Sequence, residues 1–408
     1  MIHLASPRAA LLAVMLVSFI GTVGIALPYP ILAPYFLDPS SSAALTQFAG
    51  LHPKLLLGIV LALYPLGLLI GGSAIGALSD LYGRKRVLNI TLFIAALSYG
   101  GTVWALREES YLWFAAMRLL TGICEGNISI ARAIAVDLHP AIDRKRALSL
   151  VFAATYAGWL VGPIAGGYLM PFGVDAAFIA AAATVAVCLA VVAWGIAPDD
   201  AHTQNAQGFW QAVRESNSIG LVKDPGIRPL IIFHLLFSLA LNTFYEYFPL
   251  WLVEAFGHGP QEIAWLSVSL SLTMIITSAF FVTRLSQLAS ERQMILGCVI
   301  VLGLLTGLLP WLNTWACLLV FTLMGATIAL ENGIFPAFMS ANYGHYGQGR
   351  VMGLLTTNFC LANVIMALVG ALLALLGGRW VIWCASALFF AAALWLWWRY
   401  RHTPDAAQ

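Results

Sequence analysis

Long apolar runs alternate with short polar punctuation along almost the whole 408-residue chain. About 20 helical residues cross a hydrocarbon core about 30 Å thick, so each such run predicts a membrane-spanning helix. Twelve fall at 9–36, 55–78, 87–106, 111–136, 147–170, 175–196, 228–252, 263–284, 293–311, 315–338, 351–376 and 380–398. The first continues through Pro28, Pro30 and Pro34 to Phe36 without a small-residue cleavage site. It predicts a retained, kinked helix instead of a signal peptide.

Composition supports this pattern: 61% of residues are hydrophobic and 9% charged, against about 25% charged in soluble domains. An integral membrane protein follows. The net charge of +2 is dispersed among loops, which leaves no basic face for nucleic acid. All six cysteines lie inside apolar runs without metal-ligand spacing, so they read as buried thiols, and neither a metal nor a cofactor is expected. No phosphate-binding lysine loop and no catalytic constellation stand out, which argues against ATP-driven transport and against an enzyme.

Orientation follows from the basic residues. Of the 20 Lys and Arg, fifteen fall on the side that carries both termini, three on the other (Lys54, Arg107 and Arg379) and two within a span (Arg118 and Arg132). Positive charge collects on the cytoplasmic side, so both termini are expected there.

The longest polar stretch divides six spans from six. The expected layout is therefore an N-terminal six-helix bundle at 1–196, a cytoplasmic central loop at 197–227, and a C-terminal six-helix bundle with a short tail at 228–408. Sliding one half on the other gives two echoes of an internal repeat. ALSDLYGRKRVL after span 2 aligns with RLSQLASERQMI after span 8, and EGNISIA from Glu125 aligns with ENGIFPA from Glu331.

The stretch GALSDLYGRKRVL carries Gly76, Asp80, Gly83, Arg84 and Lys85 in the loop between spans 2 and 3. It resembles the signature of the major facilitator superfamily. That resemblance implies an all-α polytopic fold, with twelve transmembrane helices in two pseudo-symmetric six-helix bundles. It also implies a cytoplasmic gate in which Asp80 and Arg84 act with an acid at the end of span 4, the place of Asp137. Span 5 reads GWLVGPIAGG. Its Gly158, Gly162, Pro163, Gly166 and Gly167 resemble a motif found chiefly in the antiporters of that superfamily, which implies export.

Span 4 places Arg118, Glu125 and Arg132 seven residues apart, nearly on one helical face. Buried charge is expensive unless paired or hydrated, so this face should look into a polar cavity. Arg132 can snorkel to the headgroups; Glu125, near mid-span, cannot. A carboxylate suits proton coupling because burial penalises its charged form while a nearby cation favours it. Arg118 with Gly122 resembles a family exporter motif in which the arginine is associated with proton coupling. Glu125 is the first choice for the coupling acid, with Arg118 as its tuning cation; Glu331 and Glu246 are the other candidates. Tyr29, Asn127, Asn242 and Tyr245 are candidate cavity residues. His234, alone in an apolar stretch, reads as a hydrogen-bonded packing residue.

Span 1 contains no acid, unlike that of many drug exporters in the superfamily, so coupling would fall to span 4, 7 or 10. The expected protein is a monomeric inner-membrane transporter that exchanges a small amphipathic molecule for protons across the lipid bilayer. Two readings remain beside it: uptake or facilitated diffusion of a sugar, organic acid or other metabolite, and a non-transporting receptor or scaffold.

Overall fold

A computed structural model describes residues 6–27, 29–125, 128–138, 141–142, 144–196, 222–285, 289–346 and 348–401. Helices account for the fold; no strand occurs among the described residues. The chain divides into two compact units, Met1–Ser216 and Asn217–Gln408.

The first unit contains α1 Pro7–Ala26, α2 Tyr29–Leu37, α3 Pro53–Tyr82, α4 Arg84–Arg107, α5 Tyr111–Glu125, α6 Ile128–Asp137, α7 Arg144–Leu169 and α8 Val174–Gly195. Local chemistry starts α1 at Pro7: the Ser6 side chain accepts from the Ala9 amide at 3.2 Å, and proline takes a position whose amide would lack a partner anyway. The expected first span comprises α1 and α2, on either side of residue 28, which lies outside the described residues. The expected fourth comes as α5 and α6, on either side of 126–127.

The second unit contains α9 Arg228–Phe256, α10 Pro260–Ile276, α11 Val282–Leu285, α12 Glu291–Leu308, α13 Thr314–Tyr343, α14 Gln348–Ala374 and α15 Gly378–Arg401. A π-turn at Thr277–Phe281 divides α10 from α11. Ten of the described helices are long and apolar enough to cross a membrane. The fourth span falls outside that number because 126–127 are not among the described residues, and the eighth because the π-turn divides it. The central loop expected at 197–227 falls mostly outside the described residues.

Helix ends run past the hydropathy boundary at the signature segment. The apolar run stops at 78, yet α3 continues to Tyr82, and only Gly83 separates it from α4. Polar helical turns that leave the hydrocarbon do not register as apolar, although their backbone bonds continue.

Each unit repeats the same principal pairings. In the first, span 1 packs on spans 5 and 6, span 2 on span 4, and span 3 on spans 4 and 6. In the second, span 7 packs on spans 11 and 12, span 8 on span 10, and span 9 on spans 10 and 12. Adding six to every span number converts one list into the other. Large apolar side chains such as Trp194, at 84% exposure, and Trp315, at 80%, lie on the outside, as a surface solvated by lipid requires.

Candidate transport site

In the first unit, glycine sets the distance between spans 2 and 4. A Cβ on Gly67 would strike the Leu119 carbonyl and the Ile123 amide, one on Gly71 the Ile123 carbonyl, and one on Gly122 the Tyr64 carbonyl. Backbones this close bring Tyr64 of α3 beside Glu125 of α5.

Glu125 is 2% exposed. The Tyr64 hydroxyl donates to its Oε2, and the Tyr99 hydroxyl of α4 donates to its Oε1 at 2.7 Å. The Arg118 guanidinium, also buried, lies 4.7 Å from the centre of the Tyr64 ring. Arg118 thus addresses Glu125 through an intervening tyrosine, whose face meets the cation and whose hydroxyl meets the carboxyl group. Span 1, which lacks an acid, contributes Gly24; a Cβ there would meet the Tyr99 hydroxyl and Glu125 Oε1.

Two donors on one carboxylate form a switchable arrangement. Ionised, Glu125 only accepts; protonated, it must also donate, and at least one tyrosine hydroxyl must then turn to accept. A proton gained or lost therefore reverses the direction of at least one of the hydrogen bonds that join the three spans.

At the end of span 4, Asp137 Oδ2 and Arg84 Nε meet at 3.1 Å, with side chains 55% and 25% exposed respectively. This is the expected partnership between the signature arginine and the span 4 acid. Gly83 holds φ at 91°, a region open to glycine. Lys85 donates to the Ala193 carbonyl at 2.7 Å, where a cation complements the C-terminal end of α8. Gly76 and Asp80 lie on α3, but their side chains are outside the described residues, as is that of Tyr29; Asn127 lies outside entirely.

The span 5 glycines build a close face on span 1. A Cβ on Gly158 would meet Thr22 and the Phe19 carbonyl, one on Gly162 Ala26 and the Val23 carbonyl, and one on Gly166 the Leu27 carbonyl. Pro163 and Gly167 are buried beside them.

In the second unit, Glu331 of α13 is 1% exposed, and its Oε1 has no hydrogen-bond partner among the described residues. Glu246 and Asn242 on α9 are joined by Asn363 of α14. Tyr245, half-buried, reaches Met274 Sδ of α10 at 3.8 Å. His234 stacks on Phe335, ring centres 5.4 Å apart, and its Nδ1 makes no hydrogen bond among the described residues. Arg132 lies over the Phe152 ring at 5.1 Å.

Sequence reasoning missed Tyr64, Tyr99, Asn358 and Asn363. The G-x-x-x-G spacing of Gly67 and Gly71, just after Tyr64, was a usable sign. So were two asparagines within the apolar LTTNFCLANVIMA.

Repeated six-span halves, each with a buried carboxylate at the equivalent place in span 4 or 10, define a helical membrane transporter. The chain matches the sequence profile described as Major Facilitator Superfamily over residues 9–364 and again over 230–408. It belongs to that superfamily. Multidrug resistance protein 2 of Bacillus subtilis is 25% identical over 361 residues, spanning 87% of this chain and 86% of its own. The class B tetracycline resistance protein of Escherichia coli is 24% identical, spanning 96% of each. Among solved structures, the human organic anion transporter MFSD10 superposes with a TM-score of 0.69 at 20% identity, covering 96% of this chain and 99% of its own. The nucleoside transporter NupG does so at 0.75 and 13% identity, covering 96% and 100%. These two share the fold.

Proposed function

We propose that the protein is a proton-coupled exporter of small amphipathic organic compounds, working by alternating access. The observation that carries this reading is Glu125, buried among Tyr64, Tyr99 and Gly24 and addressed by Arg118 through Tyr64. An antiporter needs a group whose proton and whose neighbouring helices move together. Glu125 fastens spans 2, 3 and 4 through hydroxyls whose donor and acceptor roles depend on its protonation. Glu331 is the corresponding acid of the second half.

Export is favoured over uptake by the span 5 glycine motif and by the resistance functions in the names of the two full-length relatives. Arg84, Asp137, Asp80, Gly83, Lys85 and Gly76 serve as the cytoplasmic gate. Both termini face the cytoplasm, the membrane is the bacterial inner membrane, and the working unit is a monomer of two six-span bundles without a cofactor.

Everted membrane vesicles with a respiration-generated pH gradient test this reading. A quenched dye reports proton release as organic cations, antibiotics and metabolites are added. Wild-type vesicles are expected to dequench with some compounds, and Glu125→Gln vesicles holding equal protein are not. Equal dequenching in both would move the coupling acid to Glu331 or Glu246. A wild type silent to every compound would remove coupled antiport.

A further inference from the structure

Span 4 carries three charges at seven-residue spacing, and proton coupling uses two of them. Arg118 meets the Tyr64 ring and Glu125 meets two hydroxyls; Arg132, on α6, is left over. Its guanidinium lies 5.1 Å from the centre of the Phe152 ring of α7. The Tyr156 side chain, one turn along α7 on the same face, stands within electrostatic reach of it.

No anion answers this cation. Arg132 Nε is buried without a hydrogen-bond partner, and Arg132 makes no ion pair among the described residues. The acids of this unit whose side chains are described are engaged or distant. Asp137 pairs with Arg84, Asp175 pairs with Arg107, and Glu125 takes the two tyrosine hydroxyls. Asp38, Glu108 and Glu109 precede α5, at the far end of span 4 from Arg132.

What surrounds Arg132 is therefore a ring face and a further donor. Tyr156 makes no hydrogen bond among the described residues, so guanidinium N–H groups and a phenol O–H stand together with no carboxylate between them. A cation within a span calls for a counter-charge. A planar fork beside a hydroxyl fits a pair of anionic oxygens. Arg132 and Tyr156 are half-buried and Phe152 is exposed, which leaves the group open to a ligand at the surface of this unit. Trp159 continues the aromatic face of α7 one turn on.

We propose that Arg132 and Tyr156 bind the anionic oxygens, carboxylate or phosphate, of an amphipathic molecule whose apolar body lies along Phe152 and Trp159. Calling that molecule cargo rests on the export reading; the binding itself does not.

A charge placed only for topology would ask less of its surroundings. Lysine would serve as well at 132, and phenylalanine at 156. Anion recognition asks for the fork and the hydroxyl, so Arg132→Lys and Tyr156→Phe separate the two roles while keeping charge and packing nearly intact.

The test uses purified full-length protein, stripped of lipid in an uncharged detergent and titrated calorimetrically with 4-phenylbutyrate and with 4-phenylbutyramide. The carboxylate is expected to bind wild type at least about tenfold more tightly than the amide, as loss of hydrogen bonds to a charged group implies. Arg132→Gln should bring the carboxylate down to the amide's affinity. Arg132→Lys and Tyr156→Phe should weaken the carboxylate severalfold, leave the amide unchanged and unfold near the wild-type temperature. Arg401→Gln, which removes a positive charge from the second unit, should keep the full preference. Phosphatidylglycerol that abolishes the preference, where phosphatidylcholine does not, would identify a lipid headgroup as the occupant; preference undiminished by either lipid would identify a soluble anion. Preference retained in Arg132→Gln would overturn the proposal, and so would a wild type that binds neither compound or both equally. Carboxylate preference found together with silent vesicles would sink the export reading and leave the anion site standing; coupled antiport without that preference would do the reverse.

Discussion

Tyr99 hands its hydroxyl to Glu125 at 2.7 Å from 26 residues earlier in the chain, so the acid's surroundings belong as much to span 3 as to its own helix. Removing a hydrogen bond to a charged group costs about 1.5–3 kcal/mol, and 1.36 kcal/mol is tenfold. Tyr99→Phe should therefore lower proton-driven flux by about tenfold or more at equal protein. Tyr64→Phe keeps the ring beneath Arg118 and loses the hydroxyl alone, so it should match Tyr99→Phe; the double variant should approach Glu125→Gln. Wild-type flux in both single variants, measured by dye dequenching, would refute a coupling role for the hydroxyls.

Two adjacent glycines should behave oppositely. A Cβ at Gly71 would strike backbone of Ile123, whereas one at Gly72 meets nothing within 4 Å. Gly71→Ala is expected to destabilise by about 1–3 kcal/mol through overpacking. Gly72→Ala should be neutral, or stabilising by up to about 1 kcal/mol from helix propensity. Thermal unfolding of the two purified variants decides, and equal melting temperatures would refute the close crossing of spans 2 and 4.

The ion pair of Arg84 with Asp137 should contribute little to folding. With the aspartate side chain 55% exposed, a double-mutant cycle should return a coupling of about 1 kcal/mol or less, shrinking with added salt. Gly83→Ala should cost more, about 1–3 kcal/mol, because a side chain is strained at φ 91°. A coupling well above the cost of Gly83→Ala would reverse this ranking.

Asp224 and Tyr346 supply an acid-sensitive contact outside the membrane. The Tyr346 hydroxyl donates to Asp224 Oδ2 at 2.5 Å and, with the Gly226 amide, holds the aspartate's pKa below its usual 3.8. A carboxyl depressed by folding stabilises the folded state above its unfolded pKa and loses that contribution as pH falls through its folded value. Tyr346→Phe should therefore melt below wild type at any pH above about 5, with the gap closing below pH 4. A gap undiminished at pH 3 would refute the assignment.

The spans were legible because apolar length is set by one solvent, the bilayer. Glu125 and Glu331 were legible too, since a carboxylate in mid-span is costly wherever it sits. Their partners were not. Tyr64 and Tyr99 look like any tyrosine in an apolar run until helix crossings place their hydroxyls, and those crossings are fixed by Gly24, Gly67, Gly71 and Gly122 acting together. Asn363 finds Glu246 across 117 positions of sequence, beyond the reach of periodicity. Hydropathy also ended span 2 early, because it registers oiliness and not the backbone bonds that carry α3 to Tyr82.

The crossing of span 1 with span 5 and its counterpart, span 7 with span 11, are sealed by contrary means. In the first, absent atoms let carbonyls lie against Gly158, Gly162 and Gly166; in the second, present atoms reach across from Asn358, Asn363 and Tyr247. Random mutation therefore strikes the two duplicates from opposite directions. One is harmed mainly by enlargement, the other mainly by truncation, and the two halves are free to drift under different rules while keeping one architecture.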